Sequence, residues 1–221
     1  FPISVTPGKV VVESTNVSKN YGDLSVLQNI SLSVDRDSKI AFVGQNGQGK
    51  STLAKIIVDE ISCEGNLNLG HNVQLGYFAQ NQSTYLDGTK TVLESAEDSA
   101  TPENRTKVRD LLGSFLFQGE TVDKKVSVLS GGERNRLALC KLLLQPFNVL
   151  IMDEPTNHMD MESIESLNTA LDKYKGTLFF ISHDREFVSS IATRILEIKE
   201  DRIIDFSGNY EDYLLTQEAI T

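Results

Sequence analysis

The segment Gly44–Ser51 combines residue types that bind phosphate groups in proteins. It reads Gly-Gln-Asn-Gly-Gln-Gly-Lys-Ser and matches the pattern G-x-x-x-x-G-K-[ST]. Its glycines let the backbone wrap closely, so several N–H groups can point at phosphate oxygens, and the helix start after Gly49 adds its dipole. We expect Lys50 to reach the β- and γ-phosphates and the Ser51 hydroxyl to ligate Mg²⁺. The apolar run Lys39–Val43 before the loop and a helical segment after it give the strand–loop–helix context that such a site requires.

Two carboxylates end a second short apolar run. Asp153 and Glu154 directly follow Val149–Met152, which has the composition of a buried strand. Because a buried charge without a partner is costly, two adjacent acids there indicate a purpose. We expect Asp153 to lie behind Mg²⁺ through a bound water and Glu154 to orient or deprotonate an attacking water. The alternative is a solvated strand end, which is common for a single acid.

Two further polar residues follow predicted strands. His183 comes after Leu178–Ile181, and the carboxyl ends of parallel strands meet at one edge of an open α/β sheet. This would place His183 beside the γ-phosphate, where it could hold water, phosphate and Glu154 in register. Gln80 follows another strand-like segment and could contact Mg²⁺ or the attacking water, although a lone glutamine is a weak signal.

Two other segments could contact a nucleotide. The segment Leu129–Glu133 puts Ser130 at a helix start, with Gly131 and Gly132 exposing backbone N–H groups, as in an anion-binding helix terminus. The alternative is an ordinary serine cap with a capping-box acid three residues later. Tyr21 is a candidate aromatic platform for adenine, and its alternative is a half-buried strand residue.

Hydrophobic periodicity and turn residues predict the remaining elements. Residues 81–128 have the character of a helical insertion between strand-rich segments. Val10–Val12 opens a predicted strand-rich stretch that includes Leu27–Val34. Further strands are predicted in Asn66–Ala79, with a turn at Gly70–Asn72, and in a closing hairpin of Ile195–Ile198 and Arg202–Phe206. The predicted helices are Ser51–Val58, Thr91–Glu97, Asn104–Leu112, Ser130–Gln145 and Tyr210–Gln217.

Composition limits the possible classes of protein. The 221 residues carry 21 basic and 31 acidic side chains, a net charge of −10, which argues against nucleic-acid binding through the overall field. Cys63 and Cys140 match no metal spacing and are interpreted as reduced thiols of a cytoplasmic protein. No apolar run approaches the roughly 18–20 residues of a membrane span, and there is no signal-peptide pattern. The chain starts at Phe1 without a methionine, as a piece of a longer protein or a processed chain would.

Together, these motifs resemble an ATP-binding-cassette ATPase domain over nearly the whole chain. The resemblance implies an α/β fold with a P-loop NTPase (RecA-like) core, an antiparallel β subdomain and a small helical subdomain. It implies a lead-in over residues 1–9, an ATPase domain over 10–207 and a C-terminal helix within 208–221. Within the domain, the core would be 10–80 and 147–207, and the helical subdomain 81–146.

The resemblance also assigns roles to residues, with ATP and Mg²⁺ as the bound groups. The nucleotide contacts would be Tyr21, Gly44, Asn46, Gly47, Gly49, Lys50, Ser51, Thr52, Ser130, Gly131 and Gly132. Ser51, the Q-loop residue Gln80 and the Walker B residue Asp153 would surround Mg²⁺. Glu154 as the base, the switch histidine His183 and Gln80 would be catalytic, and Asn157–Asp160 would be the D-loop.

Within this superfamily the chain resembles the ABC-F group. Asn157–Asp160 reads Asn-His-Met-Asp and is similar to that group's Asn-His-Leu-Asp, with methionine as the one departure. Ser182–Phe187 and Gly208–Leu214 are also similar to it, and transporter domains more often carry glutamine at the position of Glu133. The resemblance implies a protein with two cassettes joined by a helical linker, acting on ribosomes near the tRNA exit site, in some cases conferring antibiotic resistance. Since Phe1–Gly8 resembles the region before the second cassette, this chain would be the C-terminal one, and contact with ribosome or tRNA is implied by the resemblance alone.

Three functional hypotheses follow. The first is an ATPase of the ABC-F group, whose partner is a second cassette stacked head to tail. By resemblance Leu129–Glu133 is the signature segment, and each signature segment closes over the other cassette's ATP. The second is the nucleotide-binding subunit of a membrane transporter, with the helical insertion docked on a membrane partner. The third is a module that holds ATP as a structural clamp, and Glu154 argues against it.

Overall fold

The chain forms two β-sheets in the computed structural model, which describes residues 5–45, 49–79, 82–199 and 202–219. A three-stranded antiparallel sheet has the order β2-β1-β4, and a six-stranded sheet has the order β5-β6-β7-β3-β8-β9. The strands are β1 (Val10–Tyr21), β2 (Leu24–Asp35), β3 (Lys39–Val43), β4 (Glu64–Leu69), β5 (Leu75–Phe78), β6 (Val149–Asp153), β7 (Thr177–Ile181), β8 (Arg194–Ile198) and β9 (Ile203–Ser207). The α-helices are α1 (Lys50–Ile57), α2 (Val92–Glu97), α3 (Val108–Ser114), α4 (Gly131–Leu143), α5 (Met161–Asp172), α6 (Arg185–Ile191) and α7 (Tyr210–Glu218).

The large sheet is parallel from β5 to β8, and β9 pairs antiparallel with β8 at one edge. Every residue of the central strands β6 and β7 is buried, as expected where both faces of a parallel sheet are covered. On one face Phe180 packs edge-on against Phe187 of α6, and on the other Phe179 packs against Phe42 of β3. Apolar side chains therefore pack against both faces of the large sheet.

The register of the central strands brings their carboxyl ends level. Asp153 at the end of β6 pairs with Ile181 at the end of β7, and Ile181 pairs in turn with Phe42 of β3. Residues that follow these three strands are therefore gathered at one edge of the sheet, where open α/β sheets bind ligands.

The hairpin of β1 and β2 lies against the start of α1. A Cβ atom on Gly49 would lie 2.7 Å from Cδ2 of Leu27 and 3.0 Å from Cγ1 of Val26, and Gly49 has a φ of +92°. Both the close approach and the left-handed backbone require glycine at this position. The antiparallel sheet is thereby fixed beside the loop that precedes α1.

Residues 92–143 contain the helical insertion. α2 begins with a capping box, in which the Thr91 side chain accepts from the backbone N–H of Glu94 and the Glu94 carboxylate accepts from the backbone N–H of Thr91. The apolar sides of α2, α3 and α4 pack together in one cluster with the adjacent face of the large sheet. These helices are only 6, 7 and 13 residues long, so packing rather than propensity stabilises them.

The structure confirms the predicted α/β class, with an antiparallel sheet and a helical insertion. The predicted strand-rich stretch that opens at Val10–Val12 forms β1 and β2, which pair along the whole length of β1, and β1 also pairs for part of its length with β4. The predicted strand-like segment Asn66–Ala79 divides at its turn into β4 and β5, which belong to different sheets. α5 and α6 are additional to the predicted helices, and each begins at an aspartate whose side chain accepts from a backbone N–H three residues later. Within the described ranges, no helix has the length and apolar character needed to cross a membrane.

Candidate nucleotide-binding site

A cavity of about 360 Å³ lies at the carboxyl edge of the large sheet. It is bounded by the start of α1, the residues that follow β6 and β7, and one residue of the β1–β2 hairpin. The residues that line it are Val26, Gly49, Lys50, Ser51, Thr52, Asp153, Glu154, Asn157, Ile181 and His183. The structure thus brings together seven predicted site residues that lie up to 134 positions apart in the chain, from Gly49 to His183.

The start of α1 presents backbone donors to this cavity. α1 starts at Lys50 with Gly49 as its N-cap, and among the described residues no side chain caps its first N–H groups. Uncapped N–H groups at a helix start are available to an anion. Gly44, the first glycine of the motif, has a φ of 138° and begins the turn out of β3. Asn46 and Gly47, two predicted nucleotide contacts, lie outside the described residues.

The ammonium group of Lys50 is held at the mouth of this loop. Its Nζ donates to the carbonyl oxygens of Gly44 at 2.8 Å and Gln45 at 3.0 Å, and the residue is only 8% exposed. Burial lowers the pKa of Lys50, and the nearby carboxylates of Glu154 and Asp153 oppose that shift. A positive charge is thereby placed between the phosphate loop and the two acids.

Asp153 and Ser51 face each other across the cavity. Asp153 is 5% exposed, and the Ser51 hydroxyl lies close enough to its carboxylate to lower the pKa of that carboxyl. Burial raises the pKa of Asp153, while the nearby Ser51 hydroxyl and the charges of Lys55 and Lys50 oppose the shift. A buried carboxylate of this kind is ionised more readily when a cation lies beside it.

These two oxygen-bearing side chains fit Mg²⁺. Mg²⁺ prefers oxygen ligands and is usually bound in phosphate sites through one or two protein groups, with substrate phosphates and waters completing the shell. In the part of the chain that the structure describes, no group of three or more His, Cys, Asp or Glu residues could hold a metal ion. Ser51 and Asp153 are therefore suited to a metal ion that is shared with phosphates.

Glu154 leaves the strand in an unusual backbone conformation. Its φ is 53°, in the left-handed region, and its N–H donates to the Ile181 carbonyl oxygen at 2.9 Å. For a non-glycine residue this conformation costs on the order of 1–3 kcal/mol, which the surrounding structure must supply. This conformation reverses the chain at the end of β6, so the two adjacent carboxylates have different neighbours. The Asp153 carboxylate lies near Ser51, and the Glu154 carboxylate contacts His183.

His183 engages both oxygens of the Glu154 carboxylate. Its Nε2 lies 3.1 Å from Oε1, and its backbone N–H donates to Oε2 at 3.4 Å. The Glu154 side chain is 10% exposed and that of His183 is 62% exposed, so the histidine covers the acid from the solvent side. Burial raises the pKa of Glu154, and His183 opposes the shift both by its charge and by its backbone hydrogen bond.

Ser130, Gly131 and Gly132 do not line this cavity. Ser130 is the N-cap of α4, where its hydroxyl accepts from the Glu133 N–H at 3.2 Å and its own N–H donates to the Glu133 carboxylate at 2.7 Å. The capping-box interpretation of this segment is thus present in the structure. Ser130 and Gly131 are also exposed, so the helix start faces solvent rather than the phosphate loop of its own chain.

Contacts from α4 reach the loop that follows Glu154. The Asn135 side-chain amide donates to the carbonyl oxygens of Pro155 at 3.3 Å and Asn157 at 3.4 Å. A Cβ atom on Gly132 would lie 3.1 Å from the His158 carbonyl oxygen. The signature segment and the D-loop segment are therefore in direct contact.

Tyr21 lies at the end of β1, where it is 50% exposed and does not line the cavity. Val26, across the hairpin, does line it. Gln80, the second residue after the end of β5 in the sequence, lies outside the described residues. Of the residues that sequence reasoning did not propose for the site, Val26 and Asn135 carry no sequence signal, whereas Asn157 is in the D-loop segment.

Comparisons with known proteins agree with this geometry. Residues 27–157 match the family described as ABC transporter. The chain is 47% identical over 205 residues to the probable ATP-binding protein YbiT of Escherichia coli O157:H7, covering 92% of this chain and 39% of the relative. It is 42% identical over 216 residues to ABC transporter F family member 5 of Arabidopsis thaliana, covering 97% of this chain and 31% of the relative. The chain thus spans roughly a third of the length of these curated relatives.

A solved structure has the same fold. It is described as a bacterial Atm1-family ABC exporter with ATP bound, and it superposes with a TM-score of 0.80 at 21% identity, covering 98% of this chain and 41% of the exporter chain. At that identity the likeness establishes the fold alone. Sheet, loop and cavity together define a P-loop nucleotide-binding domain. The chain belongs to the ABC transporter family as a single ATP-binding cassette, and its relatives include ABC-F members.

Proposed function

We propose that this chain is the ATP-binding and ATP-hydrolysing cassette of an ABC-F protein that acts on the ribosome. The observation that carries the hydrolytic part is the single cavity in which Lys50, the Ser51–Asp153 pair and the Glu154–His183 pair meet. A clamp that only holds ATP has no use for a buried carboxylate whose two oxygens are both engaged by a histidine. The similarity to two F family members supports the ABC-F assignment.

In this proposal each part of the cavity has one role. The phosphate loop from Gly44 to Thr52, including Asn46, Gly47 and Gly49, holds the triphosphate with backbone N–H groups. The Lys50 ammonium exchanges its two carbonyl partners for β- and γ-phosphate oxygens. Tyr21 stacks on adenine from the hairpin beside the loop.

The Ser51 hydroxyl and the Asp153 carboxylate hold Mg²⁺ together with Gln80. When bound, Mg²⁺ neutralises charge on the transferred phosphoryl group. The chain's own contribution is to keep Asp153 ionised and oriented through the Ser51 hydroxyl and the charges of Lys50 and Lys55. Gln80 enters this proposal by resemblance alone.

Glu154 is the general base and His183 positions it. The raised pKa of Glu154 makes the carboxylate a stronger proton acceptor than an exposed glutamate, which suits removal of a proton from the attacking water. The oxygen of that water forms a bond to the γ-phosphorus, the bond from the γ-phosphorus to the bridging oxygen breaks, and ADP and inorganic phosphate leave. His183 fixes the carboxylate from two directions, which limits its rotation away from the water.

A second cassette completes the site. Ser130, Gly131 and Gly132 lie at the start of α4 and do not line their own chain's cavity, which supports the proposal that they contact a nucleotide held by another domain. A site that lacks one face loses electrostatic stabilisation of ~3 kcal/mol or more, a factor of roughly 10² in rate. Turnover per chain should therefore rise with protein concentration, and full turnover at high dilution would contradict the paired arrangement.

We further propose that this chain is the C-terminal cassette, works in the cytoplasm, and divides into a core of residues 10–80 and 147–207 around a helical subdomain of 81–146.

Ribosome action is tested in the full-length protein. Glu154→Gln, with the matching change in the other cassette, should retain ATP and accumulate a closed form. In sedimentation with ATP, that form should remain on ribosomes, and the Lys50→Ala form, which we expect to lose most of its ATP binding, is the matched control. Association with membranes and not ribosomes would favour the nucleotide-binding subunit of a transporter.

A further inference from the structure

We infer that Lys19 is a positioning residue that fixes the ring of Tyr21 for stacking on the nucleotide base. The inference rests on the proposed function, in which Tyr21 is the platform for adenine. Lys19 and Tyr21 are two residues apart on β1, so their side chains project from the same face of the strand. The Nζ of Lys19 lies 5.5 Å from the centroid of the Tyr21 ring, within the range of a cation–π contact.

Few other contacts restrict the Tyr21 side chain. It is the last residue of β1, half of it is exposed, and the turn that follows contains Gly22 with a φ of 59°. Among the residues that the structure describes, the Tyr21 hydroxyl has no hydrogen-bond partner. A ring at such a strand end is free to rotate unless a neighbour restricts it.

Lys19 is itself held from the other side. Its Nζ donates to the backbone carbonyl oxygen of Ser62 at 2.6 Å, in the connection between α1 and β4. This bond ties the hairpin that carries Tyr21 to the connection that follows α1, the helix that begins at Lys50. One ammonium group therefore contacts both the ring and a fixed backbone oxygen.

The same part of the hairpin contains a β-bulge. Lys19 pairs with Leu27 and Asn20 pairs with Ser25, so Val26 is the extra residue on β2. Bulges re-aim side chains beside functional sites. Here the extra residue, Val26, lines the nucleotide cavity, and Lys19 lies directly opposite the bulge on the partner strand.

With Lys19 over one face of the ring, the other face is left for the base. Because the ring is ordered before the base arrives, less conformational freedom is lost on binding. Ordering one side chain is worth a factor of about two to ten in affinity, so Lys19→Met should weaken ATP binding by that factor. Binding of inorganic tripolyphosphate, which has no base, should not change.

The test is calorimetric titration of the chain with Mg²⁺–ATP and with Mg²⁺–tripolyphosphate. The variants are Lys19→Met, Lys19→Arg, Tyr21→Ala and the double variant Lys19→Met/Tyr21→Ala, with the exposed Lys175→Met as a matched control. We expect Lys19→Met to weaken the affinity for ATP and not that for tripolyphosphate. Lys19→Arg should keep the wild-type affinity for ATP, because guanidinium also forms cation–π contacts. In the Tyr21→Ala background, Lys19→Met should cause no further loss of ATP affinity.

The outcomes separate this inference from the proposed role of Tyr21. If Tyr21→Ala leaves ATP affinity unchanged, the stacking role fails and the inference fails with it. If Tyr21→Ala weakens ATP binding and Lys19→Met does not, only the inference is overturned. An equal loss of ATP and tripolyphosphate affinity in Lys19→Met would also overturn it, because the lysine would then act on the phosphate loop or the fold. Unchanged tripolyphosphate binding also reports that a variant is folded.

Discussion

The imidazole Nε2 of His183 lies 3.1 Å from Oε1 of Glu154, and the backbone N–H of the same histidine donates to Oε2 of the same carboxylate. A single residue therefore fixes both oxygens of the acid that we propose as the general base. The two residues come from adjacent parallel strands, β6 and β7, whose ends are level. The geometry follows from the register of the sheet and the left-handed backbone at Glu154.

Glu154→Gln should separate binding from chemistry. Glutamine has nearly the same shape but cannot accept the proton, so the turnover number should fall by about 10²–10⁴, the usual contribution of a positioned base. Removing a negative charge near the γ-phosphate should leave ATP affinity equal or tighter. Steady-state phosphate release and calorimetry on the same preparation give both values, and normal turnover would remove Glu154 from its role.

His183→Ala should change the pH dependence of the turnover number as well as its size. Glu154 acts as a base only when ionised, and burial raises its pKa, so activity should fall on the acid side at a higher pH than an exposed glutamate would give. His183 lowers that pKa, and its removal should therefore move the acid limb to still higher pH. We expect the maximal turnover to fall on the order of 10²-fold as the carboxylate loses its orientation.

The measurement is a pH–rate profile of both proteins at saturating ATP. His71→Ala, a change at an exposed histidine in the turn before β5 and outside the cavity lining, serves as the matched histidine control. An acid limb that stays in place or moves to lower pH in His183→Ala would show that His183 does not set the ionisation of Glu154.

Lys50→Ala should remove most nucleotide binding. The buried ammonium is the cation that the phosphate loop itself directs at the site, and hydrogen bonds to charged groups are worth about 1.5–3 kcal/mol each. Loss of contacts to two phosphates weakens binding on the order of 10²-fold or more. Calorimetry with ATP tests this, with Lys175→Ala as the exposed control, and unchanged affinity would rule out the assigned role.

Much of this site could be predicted from the sequence because its residues follow short apolar strands in a recognisable order. Lys50, Asp153, Glu154 and His183 each come directly after such a strand or its loop, and the parallel sheet then brings them together. The rest depends on pairings between distant segments. Val26 enters the cavity through a bulge in β2, which hydrophobic alternation does not reveal.

The position of Ser130, away from its own chain's cavity, could not be predicted from the sequence for a different reason. In sequence it is one more polar residue beside a predicted helix, and both the anion-binding and the capping-box interpretation fit. The structure contains the capping box and also leaves the helix start exposed, so the two interpretations are compatible. Whether that exposed start meets a nucleotide depends on a second domain, which a single chain's sequence does not describe.

Asp153→Asn should stabilise the fold while abolishing turnover. Burial raises the pKa of Asp153, so the folded chain holds the proton more tightly than the unfolded chain, and stability is lost as pH rises from the unfolded pKa through the folded one. This loss of stability is larger at neutral pH than at low pH, and asparagine avoids it because it carries no charge. Each kcal/mol recovered raises the melting temperature by about 2–4 °C.

Thermal unfolding without nucleotide, at neutral pH and again at low pH, measures this effect. The gain of Asp153→Asn over the wild type should shrink as the pH falls and the wild-type carboxyl becomes protonated. A lower melting temperature at neutral pH would mean that the ionised carboxylate, with its Ser51, Lys50 and Lys55 partners, is net stabilising.

Gly49→Ala and Gly113→Ala should change stability in opposite directions. At Gly49 a methyl group would lie 2.7 Å from Cδ2 of Leu27, and the φ of +92° is strained for any L-residue, so we expect a loss of about 1–3 kcal/mol and weaker ATP binding. At Gly113, inside α3, a Cβ meets nothing within 4 Å and φ is ordinary, so alanine should gain up to about 1 kcal/mol from helix propensity. Urea denaturation of the two variants side by side gives the signs, and calorimetry gives the ATP affinities. If Gly49→Ala proved as stable as the wild type with full ATP affinity, then neither the contact of the β1–β2 hairpin with the phosphate loop nor the left-handed turn at Gly49 would be needed to form the site.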